Sequence, residues 1–302
     1  MDFGSFGAGF GSFGSAAGVP RIVLENTNPR LVYSLRDVYG TGNDVVRLRR
    51  SHDDQEQDFT ANELRDAYGM GLFLISGSTA HVVKWYQQNP DEDVDLIQTS
   101  ASSQPVLDWE GSNSQQPYIR TTTADNTKLL VTLTSNEVWL EQDISICLTS
   151  NIEAGSANGA LLALSQGGSG RTSNVRALEI FPSGGNAGKR TLRERGGTTA
   201  THAFFGIESD WEDTYKTGIA RTEGDTNGNN SRSVYLDGSQ QSSNTTNVGT
   251  FNSFSFMTLS HYLVYAVQTS STQRVTEIVI YDRIISDEDR DLYYNLSAEM
   301  RY

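Results

Sequence analysis

The chain has 302 residues with a net charge of −14; 36% are apolar, 20% are charged, and there are 28 Gly but only 6 Pro. No apolar run approaches the roughly 18–20 residues that cross a bilayer, and no basic segment leads into an apolar one, so neither membrane insertion nor Sec export is expected. The acidic balance argues against general nucleic-acid affinity, which needs clustered cations. The single cysteine, Cys147, excludes intrachain disulfides and multi-cysteine metal sites and fits synthesis in a reducing cytosol.

Residues 1–18 hold six Gly and four Phe (Phe3, Phe6, Phe10, Phe13), with Asp2 as their sole charge. The Phe spacing of three and four would suit a helix face, but each interleaved Gly costs about 1 kcal/mol relative to Ala. The segment is therefore read as non-helical. It cannot form a core alone, and its Phe side chains are what an arm would insert into a partner. A disordered terminus is the plainer alternative.

From residue 19 onward the pattern is β. Apolar or alternating runs at 21–24, 44–49, 80–86, 128–134, 143–149, 160–164, 175–181, 202–207, 231–236, 251–257, 262–267 and 275–281 predict an antiparallel sandwich. In the last of these Ile278 and Ile280 share one face, and Glu277 and Tyr281 the other. Asp237-Gly238 and Asn227-Gly228 supply turn positions with positive φ. A short helix is predicted from Thr60 through Leu64 and Ala67 to Gly69. A second follows Ser286, an N-cap with Asp287, Glu288 and Asp289 in its first turn, and presents Leu292, Leu296 and Met300 as an apolar stripe. The expected division is an arm over 1–20 and one sandwich domain over 21–302.

Several segments resemble a known family. Tyr33-Ser-Leu-Arg36, Val46-Arg-Leu-Arg-Arg-Ser51 and Glu56-Gln-Asp-Phe59 resemble the opening of concanavalin A-like modules of marine phage structural proteins, an opening shared distantly with α-L-arabinofuranosidase catalytic domains. The resemblance continues at Val82-Val-Lys-Trp-Tyr86 and Gln104-Pro105. It resumes at Val234-Tyr-Leu-Asp-Gly238, similar to a laminin-G-type hairpin, and at Val275 to Arg283 and Ser286 to Arg290, similar to the closing strand and helix. After the Trp-Tyr pair the family carries a Gly-rich turn; here Gln87-Gln-Asn-Pro-Asp-Glu-Asp93 stands instead, and no role is carried over to it. The resemblance implies an all-β concanavalin A-like jelly-roll sandwich, with a short C-terminal helix and an extended N-terminal arm, in a virion assembled in the host cytoplasm.

Chemistry-bearing residues are few. A glycosidase needs two carboxylates about 5–10 Å apart, and i, i+2 positions on a strand are about 7 Å apart. Glu208-Ser-Asp210-Trp-Glu-Asp213 resembles the acidic strand of concanavalin-like glucanases, so Glu208, Asp210 and Asp213 are the catalytic candidates of a hydrolase reading. Their polar neighbours Ser209 and Thr214 favour a solvated loop instead. Asp108 and Glu110 read as surface positions around a core Trp109, and Trp85 and Trp139 as core. Trp211, in its polar loop, is the candidate for stacking on a glycan.

His52, His81, His202 and His261 are isolated and do not suggest a metal site. Asp225, Asn227 and Asn229 have the 1, 3, 5 oxygen spacing of a calcium loop, but Leu236 at the twelfth position excludes an EF-hand. A polar hairpin turn is the plainer reading; no cofactor is expected, with Ca2+ the one candidate. The run from Asp91 to Asp95 reads as a solvated loop, and Gly167-Gly-Ser-Gly170 as a hairpin loop rather than a phosphate loop. Lys189, Arg190, Arg193 and Arg195 form the one basic concentration, either a contact for an acidic face of another subunit or an exposed charged strand.

These readings favour a non-enzymatic phage virion surface protein, a capsid decoration, fibre or tail appendage, held by its arm. Its partners would be other virion proteins, copies of itself and a host surface glycan. The rivals are a glycoside hydrolase acting on arabinose-containing or β-glucan polymers and a glycan-binding lectin module without chemistry.

Overall fold

Strands dominate because short apolar runs alternate with polar positions and are interrupted by turn residues. The computed structural model describes residues 27–75, 77–110, 116–122, 127–132, 143–152, 160–165, 174–180, 190–196, 199–204, 215–224, 229–247, 256–259, 262–264, 267–269 and 272–298. In chain order the first elements are β1 (Leu31–Ser34), β2 (Asp44–Arg50), β3 (Glu56–Thr60), α1 (Ala61–Arg65), α2 (Ala67–Phe73), β4 (Ala80–Trp85), β5 (Leu96–Ile97), β6 (Val106–Glu110), β7 (Gln116–Thr121) and β8 (Leu129–Thr132). Then come β9 (Ile144–Ile152), β10 (Ala160–Ser165), β11 (Asn174–Ile180), β12 (Arg190–Gly196), β13 (Thr199–Phe204), β14 (Lys216–Gly224), β15 (Asn229–Leu236) and β16 (Ser239–Asn247). The last are β17 (Phe256–Leu259), β18 (Tyr262–Val264), β19 (Val267–Thr269), β20 (Gln273–Tyr281) and α3 (Asp287–Ala298).

The strands form an all-β sandwich. One layer has β20 near its edge, flanked on one side by β1 and β7 and on the other by β9, which leads to β14, β15 and β16. The other runs β3-β2-β4-β5-β8-β17-β10-β11-β12-β13. Every one of these pairings is antiparallel. The β6–β7 hairpin carries the chain between layers, since β6 pairs with β4 and β7 with β20.

Side-chain alternation sorts the core in two. Ile146, Leu148, Ile278 and Ile280 meet Leu48, Val82, Trp85 and Leu164 between the layers. Their neighbours Cys147, Val279 and Tyr281 point the other way and are covered by Ile285, Tyr293 and Leu296. The terminal helix thus seals the outer face of one sheet. Ser286 caps it as expected, accepting from the Asp289 amide at 3.0 Å. Arg221 and Arg290 lie 4.5 and 4.6 Å from the Tyr235 ring centroid and share the Asp287 carboxylate, each at 2.8 Å, fastening α3 to β14 and β15.

The predicted first helix is corrected in its extent. Helical structure does not stop at Gly69: it breaks at Asp66, whose carboxylate caps Tyr68 N at 3.1 Å, and restarts as α2 because Met70 and Phe73 have core to fill. The start at Thr60 stands as a capping box, with the Thr60 hydroxyl accepting from Glu63 N at 3.3 Å and Glu63 accepting from Thr60 N at 2.8 Å. Thr60→Ala should therefore cost about 1 kcal/mol in urea unfolding, and Thr60→Ser little. Equal losses for the two would show that the cap contributes nothing. Asp237 and Gly238 form the predicted tight turn, with φ of 48° and 81°. The run predicted at 262–267 is two short strands, β18 and β19, and the run at 21–24 lies outside the described residues.

Candidate ligand-binding site

A polar cavity of about 560 Å³ opens where β2 begins and β4 ends. One wall is Gly42, Asn43 and Asp44. Asp37 shapes it by accepting from the amides of Thr41 and Gly42, each at 2.9 Å, while Gly42 takes a φ of 70° that a side chain would strain. The floor is Lys84, Tyr86 and Gln87, and Glu92, Asp93 and Asp95 complete the lining.

The loop from Gln87 to Asp95 is held by side-chain amides. Gln88 donates to the Ser34 and Arg36 carbonyls at 2.6 and 2.8 Å and accepts from Val38 N at 3.1 Å. Buried Asn89 donates to the Pro29 carbonyl at 2.9 Å. The Tyr33 hydroxyl donates to the Val94 carbonyl, and Arg30 pairs with Glu92 at 2.7 Å. Of the run read as a solvated loop, Asp91 and Asp93 are exposed as expected, but Val94 is core and the Glu92 and Asp95 side chains are only 8% and 14% exposed. The acidic residues of this loop mask its apolar positions. The signal it carried was the apolar alternation of Val94 and Leu96 around Asp95.

Most charges here are already paired. The Lys84 ammonium lies 3.0 Å from Asp95 and 4.9 Å from the Tyr86 ring centroid, and Asp95 also accepts from Gln87 N at 3.0 Å. Behind the cavity Asp58 accepts a fork from Arg47 at 2.7 and 2.8 Å and the Tyr86 hydroxyl at 2.6 Å. The Arg47 guanidinium holds the Asp58 carboxyl below its ordinary range, whereas partial desolvation, then repulsion from Asp58 and Glu63, pushes Asp44 up. Burial and then the bond to Asp58 push the Tyr86 phenol up, keeping it a donor. Asp44 and Asp93 line the cavity, and among the described residues neither carboxylate forms a hydrogen bond or ion pair. Two carboxylates offering acceptors, beside the Asn43 amide, suit a polyhydroxylated ligand.

The sites expected from sequence are placed unevenly. Phe3, Phe6, Phe10, Phe13, Glu208, Asp210, Trp211, Asp213, Lys189, Asp225, Asn227 and Trp139 lie outside the described residues. Arg190, Arg193 and Arg195 lie on β12, between β11 and β13, with Arg193 in register with Ala177 and His202. Asn229 opens β15. Trp85 is core as predicted, but Trp109 is only partly buried, its indole N–H donating to the Leu64 carbonyl at 3.0 Å beside exposed Asp108. Among the described residues no group of three or more His, Cys, Asp or Glu side chains is placed to hold a metal ion.

No family model matches the chain, and no curated protein does. Solved structures do. A mutant GH54 α-L-arabinofuranosidase soaked with 4-nitrophenyl α-L-arabinofuranoside aligns with 94% of this chain and 65% of its own, at a TM-score of 0.61 and 12% identity. The botulinum neurotoxin serotype G binding domain aligns with 68% of this chain and 49% of its own, at 0.48 and 10%. The binding domain of botulinum neurotoxin DC, in complex with rat synaptotagmin II, aligns with 74% and 52%, at 0.48 and 10%. The chain thus spans about half to two thirds of the lengths of these structures. At such identities the likeness is one of fold, a sheet-rich sandwich.

Proposed function

We propose that this chain is a non-enzymatic, glycan-recognising sandwich carried on a phage particle and fixed there by residues 1–18. The observation that carries the recognition part is the cavity at Asp44, Tyr86 and Asp93, of monosaccharide to disaccharide size, with two uncommitted carboxylates facing it. The virion context is supported by the resemblance of 33–36, 46–51, 56–59, 82–86, 234–238, 275–283 and 286–290 to phage structural modules. Binding is favoured over catalysis at this cavity because Asp58, Glu92 and Asp95 are already engaged by Arg47, Arg30 and Lys84.

The test is retention on an immobilised glycan panel. The wild-type chain should hold one glycan class, and Asp44→Asn with Asp93→Asn should weaken retention more than tenfold, since hydrogen bonds to charged groups are worth about 1.5–3 kcal/mol. Retention of no glycan, or equal retention by the variant, overturns the reading. The second reading, hydrolysis of arabinose-containing or β-glucan polymers, is favoured by the arabinofuranosidase-like fold. It predicts sugar release from the same panel, abolished by Glu208→Gln.

A further inference from the structure

Among the described residues the exposed large apolar side chains are Tyr68, Leu72 and Ile75, at 76%, 65% and 45% exposure, and all three lie on α2 or just beyond it. Scattered exposed apolar residues need no explanation; three within eight positions, with Tyr68 and Leu72 one turn apart on the same helix face, do. The platform beneath them is firmly held. Met70 and Phe73 are core, the Phe73 ring packs edge-on to Phe59 at 4.9 Å, and Arg50 donates to the Phe73 carbonyl at 2.6 Å. Gly71 leaves open space beside Leu72, where a Cβ would meet nothing within 4 Å, so an aromatic ring could lie flat against the backbone there.

We infer that α2 is the acceptor for the Phe-bearing arm, residues 1–18, of a second copy of this chain. The inference rests on reading those residues as an anchoring arm, and makes a neighbouring copy of this chain the part of the particle that the arm grips. Copies carrying a charge of −14 repel one another, and the repulsion is screened only over about 8–10 Å at moderate salt. The arm meets little of that repulsion, because its sole charged side chain is Asp2. The described chain starts at Thr27, whose hydroxyl is 3.0 Å from that of Tyr281. From there Phe13 can reach at most roughly 45–50 Å, enough to leave its own domain. Each copy then has one donor and one acceptor, so the contact either closes reciprocally into a pair or runs head-to-tail into rings or filaments.

The test compares sedimentation of the full chain, a deletion lacking residues 1–18, the Tyr68→Glu/Leu72→Glu variant, and an equimolar mixture of the last two. The full chain should self-associate. Each altered chain alone should associate more than about tenfold more weakly, as loss of a central interface anchor does. The mixture should give a one-to-one heterodimer and nothing larger, because one chain keeps only the acceptor and the other only the donor. Tyr68→Phe should associate as wild type, and unchanged near-ultraviolet dichroism should show that the charged variant is folded. A monomeric full chain, association that survives either alteration, or a mixture that stays monomeric overturns the inference. Glycan retention is a separate readout: a chain that assembles without holding glycan sinks only the recognition reading, and one that holds glycan but never assembles sinks only this one.

Discussion

Arg36→Ala should lower the unfolding free energy by about 3–5 kcal/mol, seen as a fall in the urea midpoint at unchanged slope. The Glu277 side chain is fully buried on the outer face of β20, where its Oε2 accepts from Ser34 Oγ at 2.7 Å and from Arg36 Nη2 and Nε at 2.8 and 3.3 Å. Arg36 also donates to the Leu296 carbonyl at 3.4 Å, which ties α3 to the same ion pair. Removing the guanidinium leaves a carboxylate in the interior with only the Ser34 hydroxyl to replace its water. Removing both charges is a different matter, because two buried ions repay their desolvation only in part. Arg36→Met combined with Glu277→Leu should fall within about 1 kcal/mol of wild type or exceed it. A small loss for Arg36→Ala, or additive losses across the cycle, would show that water reaches Glu277.

Trp85→Ala should cost about 3–5 kcal/mol by the same measurement. Trp85 is fully buried, its ring 5.9 Å from that of Tyr33, and its backbone is in register with Val46 on one side and Leu96 on the other. It sits where three strands meet, directly between Lys84 and Tyr86 of the cavity, so the alanine variant should also lose glycan retention. Trp85→Phe is expected to cost much less than its volume change suggests. Among the described residues the buried indole N–H has no hydrogen-bond partner, and an unmet donor of that kind costs about 1–3 kcal/mol that phenylalanine does not incur. A phenylalanine variant as unstable as the alanine one would mean that a bound water serves the indole.

Legibility in the sequence followed burial. Residues 275–281 could be read directly, because Ile278 and Ile280 pack between the layers and Val279 and Tyr281 pack beneath α3. The capped start of α3 could also be read, since Ser286 and three acids are a local signal. Strands β14 and β16 could not. Residues 239–247 contain no apolar side chain at all and become a strand because β15 offers them a ladder. The cavity loop was hidden for another reason. An acidic run normally means solvent, and nothing local reveals that Gln87, Gln88 and Asn89 bond to backbone more than fifty positions away. Gly69 resembles a helix stop, yet the buried Met70 and Phe73 carry α2 on to residue 73.

The position of β20 determines when this chain can fold during synthesis. β20 is the strand on which β1, β7 and β9 all depend, pairing Leu31 with Ile280, Ile119 with Val275 and Cys147 with Val279. A ribosome must release residue 281 before any of those three edges is closed. Until then one edge each of β1, β7 and β9 stays unpaired, and the apolar face that α3 later seals stays open. At roughly 5–20 residues per second the wait lasts many seconds. Any truncation that removes the last thirty residues should leave aggregates rather than a smaller sandwich.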